Sequence, residues 1–229
     1  MSDDVTLFLT ACNRPQLLKQ TLESFVKFNT YPIKEAIICE DSGLTGINDF
    51  AKEILPCPLT ILYNPKRIGQ MKSIENGLSY IKTPYVFHCE EDWEFYEHGF
   101  IEKSFPILKS NPRITSVWLR SHDELKSMYK FPIISVSQWI AEKGITDVSA
   151  PSDDEYYIVG PNIGNFSWNP GLKTYEVAMK FSPYSSSTLP VSVCEGGMMH
   201  AFQDLGMVSA VTNNKKGYVK HIGWNHHVC

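Results

Sequence analysis

The chain has 229 residues, 43% of them hydrophobic and 20% charged, a balance that excludes a disordered or fibrous polymer and fits a folded, water-soluble domain. At this length roughly 70–75% of the unfolded surface can be buried, so neither disulfides nor a structural metal is needed for stability. Twenty-five acidic against 21 basic residues give a net charge of −4, which argues against a general nucleic-acid binder.

In chain order, Val5 to Thr10 reads as a first strand. Asn13 and Pro15 then provide a cap and a first helical turn, with Leu17, Leu18, Thr21, Leu22, Phe25 and Val26 recurring on one helical face. Ala36 to Cys39 is a second strand ending in Glu40-Asp41-Ser42-Gly43, and Leu59 to Tyr63 a third. Met71, Ile74, Leu78 and Ile81 define the next amphipathic helix, before a fourth strand at Tyr85 to Cys89. A helix through Phe100, Ile101, Phe105 and Leu108 and a strand at Ser116 to Leu119 follow. From residue 120 the periodicity weakens and Pro, Ser, Gly and aromatics multiply, so this part reads as loops and short strands laid against the first.

Strand and helix alternation of this kind predicts an α/β fold with a mostly parallel central sheet flanked by helices. One domain over 1–229 is expected, with 1–97 forming a ligand-binding half and 98–229 a second half. The six cysteines, at 12, 39, 57, 89, 194 and 229, lack CxxC pairing, and Cys39 and Cys89 fall in strands, which predicts reduced core thiols. An acidic N-terminus and the lack of a long apolar run predict a soluble, cytoplasmic protein without a membrane span.

Residues 90–97 hold five carboxylates and no base, so the acidity of the chain is concentrated there. Three of these acids, Glu90, Glu91 and Asp92, directly follow the fourth strand, and adjacent carboxylates repel unless a cation neutralises them. Oxygen ligands of this kind suit Mg²⁺ or Mn²⁺; a solvated acidic loop is the alternative. In open α/β sheets ligands bind outside the carboxyl ends of the strands, so Ala11 to Arg14, Glu40 to Ser42 and Glu90 to Asp92 should converge.

The ordered pieces VTLFLTACNRPQLLKQTLESF, IICEDSG and NPKRIGQMKSIENGLSYIKTPYVFHCEEDW, over about residues 5–97, resemble the GT-A glycosyltransferases, and within them glycosyltransferase family 2. The resemblance implies a UDP- or GDP-sugar donor across the strand ends and a glycan or other hydroxyl acceptor. Thr10 and Ala11 would touch the base, Glu40 or Asp41 would accept from the base or ribose, and Arg14, Arg67 and Gly69 would complete the donor site. Arg67 could instead form a surface ion pair. The family's metal-binding DxD segment stands here as Glu90-Glu91-Asp92, with Asp92 the implied direct ligand and Glu90 and Glu91 beside the donor. Trp93 would wall the donor or acceptor pocket unless it is a core residue. Glu195 falls where the family places its catalytic base, with Asp153 and Asp154 in reserve; a helix-capping acid at a helix carrying Met198, Phe202 and Leu205 is the alternative. His221, in preference to His226, would complete the metal site. Trp168 would stack on an acceptor sugar or belong to a satellite core.

The implied activity is metal-dependent, inverting sugar transfer. Two alternatives stand beside it: a carbohydrate- or nucleotide-sugar-binding module without turnover, and a sugar nucleotidyltransferase. The latter is disfavoured because ACNRPQLL lacks a Gly-rich phosphate loop. A metal-dependent nuclease lacks the expected basic, aromatic stripe.

Overall fold

The computed structural model describes residues 2–148, 155–160, 165–183 and 191–224; Asp153, Asp154 and His226 lie outside them. The chain opens with β1 (Val5–Ala11), buried along its whole length, because Leu7 and Leu9 face one helical layer while Phe8 faces the other. Helix α1 (Pro15–Phe28) buries Leu18, Thr21, Leu22 and Phe25 as the periodicity predicts. Asn13 does not cap it. Arg14 holds the cap position, and Asn13 takes φ 55, a left-handed conformation that its short side chain tolerates, so that its N–H donates to Glu40.

There follow β2 (Glu35–Glu40), α2 (Ala51–Ile54), β3 (Leu59–Tyr63), α3 (Gln70–Leu78) and β4 (Tyr85–Glu90). These four strands run parallel in the order β3-β2-β1-β4. Gly77 lets α3 lie directly on the sheet, since a Cβ there would sit 2.2 Å from the Phe8 ring. That close approach brings the start of α3 to the carboxyl ends of β1 and β4.

The residues after β4 include the expected helix near 100–108 and strand near 116–119, and from residue 120 they hold helices among the expected short strands, where the sequence suggests loops. They form β5 (Trp93–Phe95), α4 (Phe100–Ser110), β6 (Ile114–Trp118), α5 (His122–Ser127), β7 (Ile133–Ser135) and α6 (Val136–Lys143). After these come β8 (Tyr156–Val159), β9 (Gly171–Thr174), α7 (Tyr175–Met179), α8 (Val191–Asp204), β10 (Val208–Thr212) and β11 (Val219–His221). Ser121, Ser135 and Thr174 each accept a backbone N–H at the start of α5, α6 and α7, which stabilises helices too short to show a period.

Among the described residues the main sheet has nine strands in the order β3-β2-β1-β4-β9-β6-β10-β8-β7. Seven of them point the same way and β9 and β8 oppose them, so the sheet is mostly parallel in direction, as expected. Helices α1, α4 and α6 cover one face around Phe25, Phe87, Phe100 and Trp139, and α3, α7 and α8 cover the other around Phe8, Ile74 and Phe202. Cys39 and Cys89 are buried free thiols. No described helix is long and apolar enough to cross a membrane.

Candidate active site

Because β1, β2 and β4 are parallel, their carboxyl ends open on one edge of the sheet. A cavity of about 330 Å³ lies there, lined by Thr10, Ala11, Cys12, Arg14, Asp41, Arg67, Gln70, Ser73, Glu90, Glu91, Asp92, His221, Gly223 and Trp224. A larger cavity of about 480 Å³ sits by Arg113 and Val208, at the opposite, amino ends of β6 and β10, away from this acidic cluster.

The acidic turn is held from three sides. Thr21 on α1 donates its hydroxyl to the Glu91 carbonyl at 2.7 Å and accepts the Trp93 N–H at 3.1 Å. The antiparallel β5–β11 ladder pairs Trp93 with His221, and the Ile222 N–H donates to the Asp92 carbonyl at 2.9 Å. The same pairing sets His221 Nε2 3.2 Å from Asp92 Oδ2. At Gly223 a Cβ would stand 2.2 Å from that oxygen, so the missing side chain is what leaves Asp92 room.

A guanidinium neutralises much of the cluster. Arg14 Nε donates to Glu91 Oε1 at 2.8 Å, and Arg14 Nη1 lies 2.9 Å from Asp92 Oδ2. Burial pushes the Asp92 carboxyl up, but the hydrogen bond from His221 and the charge of Arg14 outweigh it and hold the group below its ordinary value. Glu91 is raised by burial against the opposing pull of Arg14. Glu90 is pushed up to about 8 by burial and by the charges of Asp92, Glu91 and Glu195, and its oxygens accept from Gln70 at 2.6 Å and the Trp93 indole at 3.3 Å. The repulsion that the sequence assigned to a metal is therefore relieved partly by Arg14, while burial and the neighbouring carboxylates raise Glu90.

Several expected site residues have other surroundings. Glu40 is fully buried and does not line the cavity; it accepts the Asn13 and Ser42 N–H groups at 2.9 and 3.0 Å and Asn48 Nδ2 at 2.6 Å, so it organises the turns. Asp41 lines the cavity while accepting from the Ile68 and Gly69 N–H groups at 2.9 and 2.8 Å. Gly69, at φ 92, thus turns its N–H to Asp41, and the space beside its Cα is open. Arg67 reaches the cavity, where its charge opposes the rise that burial gives the Cys12 thiol.

Trp93, at 0% exposure, is a core residue, which corrects its reading as a pocket wall, and Trp168, at 2%, belongs to a core cluster, the second of the two readings given for it. Trp93 packs between Arg120, 4.3 Å from its ring centre, and the His221 ring. The exposed aromatic at the cavity is Trp224, whose ring meets His221 edge-on at 4.6 Å. Glu195 sits within α8, beyond its first turn, so the capping alternative falls; Leu205 lies past the helix end and is exposed. Its carboxylate accepts the Trp168 N–H at 2.9 Å and raises Glu90, but it does not line the cavity.

Sequence reasoning missed Gln70, Gly223 and Trp224 at the site and Lys173 beneath it. Gly223 and Trp224 lie within three residues of His221, a proximity that could have flagged them. Lys173 carried a subtler signal, a lone lysine in the short apolar strand GLKT.

The helix-flanked, mostly parallel sheet with an acidic cavity at its strand ends is the GT-A glycosyltransferase fold, matching solved structures of that class. GalNAc-T7, solved with UDP, GalNAc and Mn²⁺, superposes with a TM-score of 0.65 over 99% of this chain and 45% of that one, at 12% identity. The model of glycosyl transferase family 2 matches residues 6–132, more than half of the chain, and the chain belongs to that family. A mannosyltransferase from Pyrobaculum calidifontis, in complex with GDP-Man and Mn²⁺, shares 16% identity over 55% of this chain and 37% of that one, with a TM-score of 0.47. This chain thus spans less than half the length of either protein. A sequence search of curated proteins finds no match.

Proposed function

We propose that this family 2 domain transfers a sugar, with inversion, from a UDP- or GDP-sugar to a hydroxyl acceptor, assisted by Mn²⁺ or Mg²⁺. The observation that carries the reading is the Asp92–His221 pair, 3.2 Å apart at the cavity formed by the strand ends. Asp92 would offer such a cation a carboxylate oxygen and His221 an imidazole nitrogen. Among the described residues no third His, Cys, Asp or Glu converges on one point. Two protein ligands suffice where diphosphate oxygens and water supply the rest, which is common for Mg²⁺. The space left by Gly223 beside Asp92 fits the same arrangement, and the Mn²⁺ and UDP of GalNAc-T7 supply the analogy.

Thr10 and Ala11 flank the base, Asp41 and Arg67 the ribose and phosphates, and Gln70 fixes Glu90 toward the donor. The cation, when bound, stabilises the negative charge of the departing diphosphate. Glu195 takes the proton of the acceptor hydroxyl. The acceptor oxygen then bonds the anomeric carbon as the bond from that carbon to the diphosphate breaks, and the electron pair leaves with the diphosphate. Trp224, exposed at the rim, offers the acceptor an apolar face in place of the two buried tryptophans.

A thermal-shift screen of UDP- and GDP-sugars with and without Mn²⁺ tests the reading: a stabilising pair that needs the metal, lost in Asp92→Ala, is expected. Turnover unchanged in Asp92→Ala would end it. A binding module without turnover is favoured by one observation, that Glu195 lies outside the cavity lining. Donor binding without hydrolysis or transfer over a broad acceptor panel would select that reading instead.

A further inference from the structure

Residues 165–169 form an irregular segment whose backbone is held from beneath by buried polar side chains. Thr115 on β6 donates to the Asn165 carbonyl at 2.7 Å, and His88 on β4 donates its Nδ1–H to the Trp168 carbonyl. Lys173 on β9, fully buried, donates Nζ to the Ser167 carbonyl at 3.2 Å. Burying an ammonium is costly unless it is compensated. Here the compensation is that carbonyl and the faces of Phe166 and Trp168, 5.5 and 5.1 Å from Nζ.

The Ser167 carbonyl and the Trp168 N–H belong to one planar peptide group. Its oxygen is fixed by Lys173 and its N–H donates to Glu195 Oε1 at 2.9 Å. Helix α8 by itself leaves the Glu195 side chain rotatable, so this contact sets where the carboxylate points.

We propose that Lys173 is a positioning residue for Glu195, acting through the Ser167–Trp168 peptide, which fixes the carboxylate of the base against the β4–β9 part of the sheet. The inference rests on the reading of Glu195 as the base. Burial draws Lys173 down to about 7, against the pull of Glu195 and Glu90, and also lowers neighbouring His88. Either protonation state of Nζ has a hydrogen to donate, so the anchor persists through the titration.

The test uses Lys173→Met, which keeps an unbranched apolar stem one atom shorter and without the donor, and Lys173→Gln, which restores a donor without charge. The probe is the sugar nucleotide that most stabilises the protein in the screen above, followed by release of nucleoside diphosphate. Lys173→Met should lower kcat about tenfold to a hundredfold, the scale of a misplaced catalytic group, with UDP or GDP affinity in Mn²⁺ unchanged and the Trp168 amide proton shifted upfield. Lys173→Gln should recover part of kcat. A folded Lys173→Met with unchanged kcat, or with a kcat loss matched by an equal loss of nucleotide affinity, overturns the proposal. Should the variants not fold, scalar coupling across the hydrogen bond between the Trp168 amide nitrogen and the Glu195 carboxyl carbon in the unaltered protein decides, and its absence overturns the proposal. Wild-type turnover in Glu195→Gln would instead remove the base reading, leaving the amide measurement to report on the anchor alone.

Discussion

Arg14 Nη1 lies 2.9 Å from Asp92 Oδ2, the oxygen that also faces His221 Nε2. The guanidinium stands where the carboxylate needs a counter-charge, so Arg14 and a divalent cation would share one oxygen. Removing one partner of a buried ion pair typically costs about 3–5 kcal/mol. Arg14→Met should therefore lower stability by up to about that much without metal, since it removes the guanidinium from both Glu91 and Asp92 and leaves them to the Cys12 N–H and His221, and Mn²⁺ should restore more stability to the variant than to the unaltered protein. Urea denaturation with and without Mn²⁺ checks this; equal metal effects would show that the two cations do not share Asp92.

Gly223→Ala places a methyl group 2.2 Å from Asp92 Oδ2. Overpacking of this kind costs about 1–3 kcal/mol. The more specific expectation is that the stabilisation by UDP plus Mn²⁺ vanishes while stabilisation by UDP alone is kept, as read by thermal shift in parallel samples.

Glu40→Ala separates turn-building from ligand contact. It removes the acceptor for two backbone N–H groups and Asn48, all at the β2 end. With unsatisfied buried groups costing about 1–3 kcal/mol each, a loss on the order of 3 kcal/mol is expected. The folded fraction should bind UDP with wild-type affinity by calorimetry; a selective loss of affinity with stability intact would return Glu40 to the donor site.

Lys173 gives a pH signature. Its folded value of about 7 lies below its ordinary 10.5, so between those limits the unfolded chain binds the extra proton and stability rises with pH. One proton corresponds to about 1.4 kcal/mol per pH unit at most. The stability of the unaltered protein minus that of Lys173→Met should climb between pH 7 and 10 and be flat below; a flat difference throughout would place the lysine in a solvated setting. Taking the difference cancels groups remote from Lys173; Glu90, whose charge acts on Lys173 and whose raised value works with the opposite sign between about 4.5 and 8, does not cancel, so the climb is read above that range.

The sequence made β1 to β4, α1, α3 and α4 legible because each carries several turns or alternations of apolar residues. The helices α5 and α7 span six and five residues, and β9 four with a lysine inside, so no period could form. The acidic turn was legible as a site from its place after a buried strand. Its counter-ion was not, since Arg14 stands 77 residues from Glu91 and only the β1–β4 pairing unites them. Trp93 beside three acids looked like a ligand wall; its partner is the β11 strand, which composition cannot reveal.

Strand β9 joins β4 to β6, which do not pair with each other. It comes at residues 171–174, after the family-matching stretch of 6–132 has ended. That stretch alone would therefore hold two strands facing an empty slot one strand wide, with the unpaired backbone of Tyr85 to His88 open to association with another chain. The part of the sequence that carries the family's signature depends, for its own closure, on a tetrapeptide that the signature does not include.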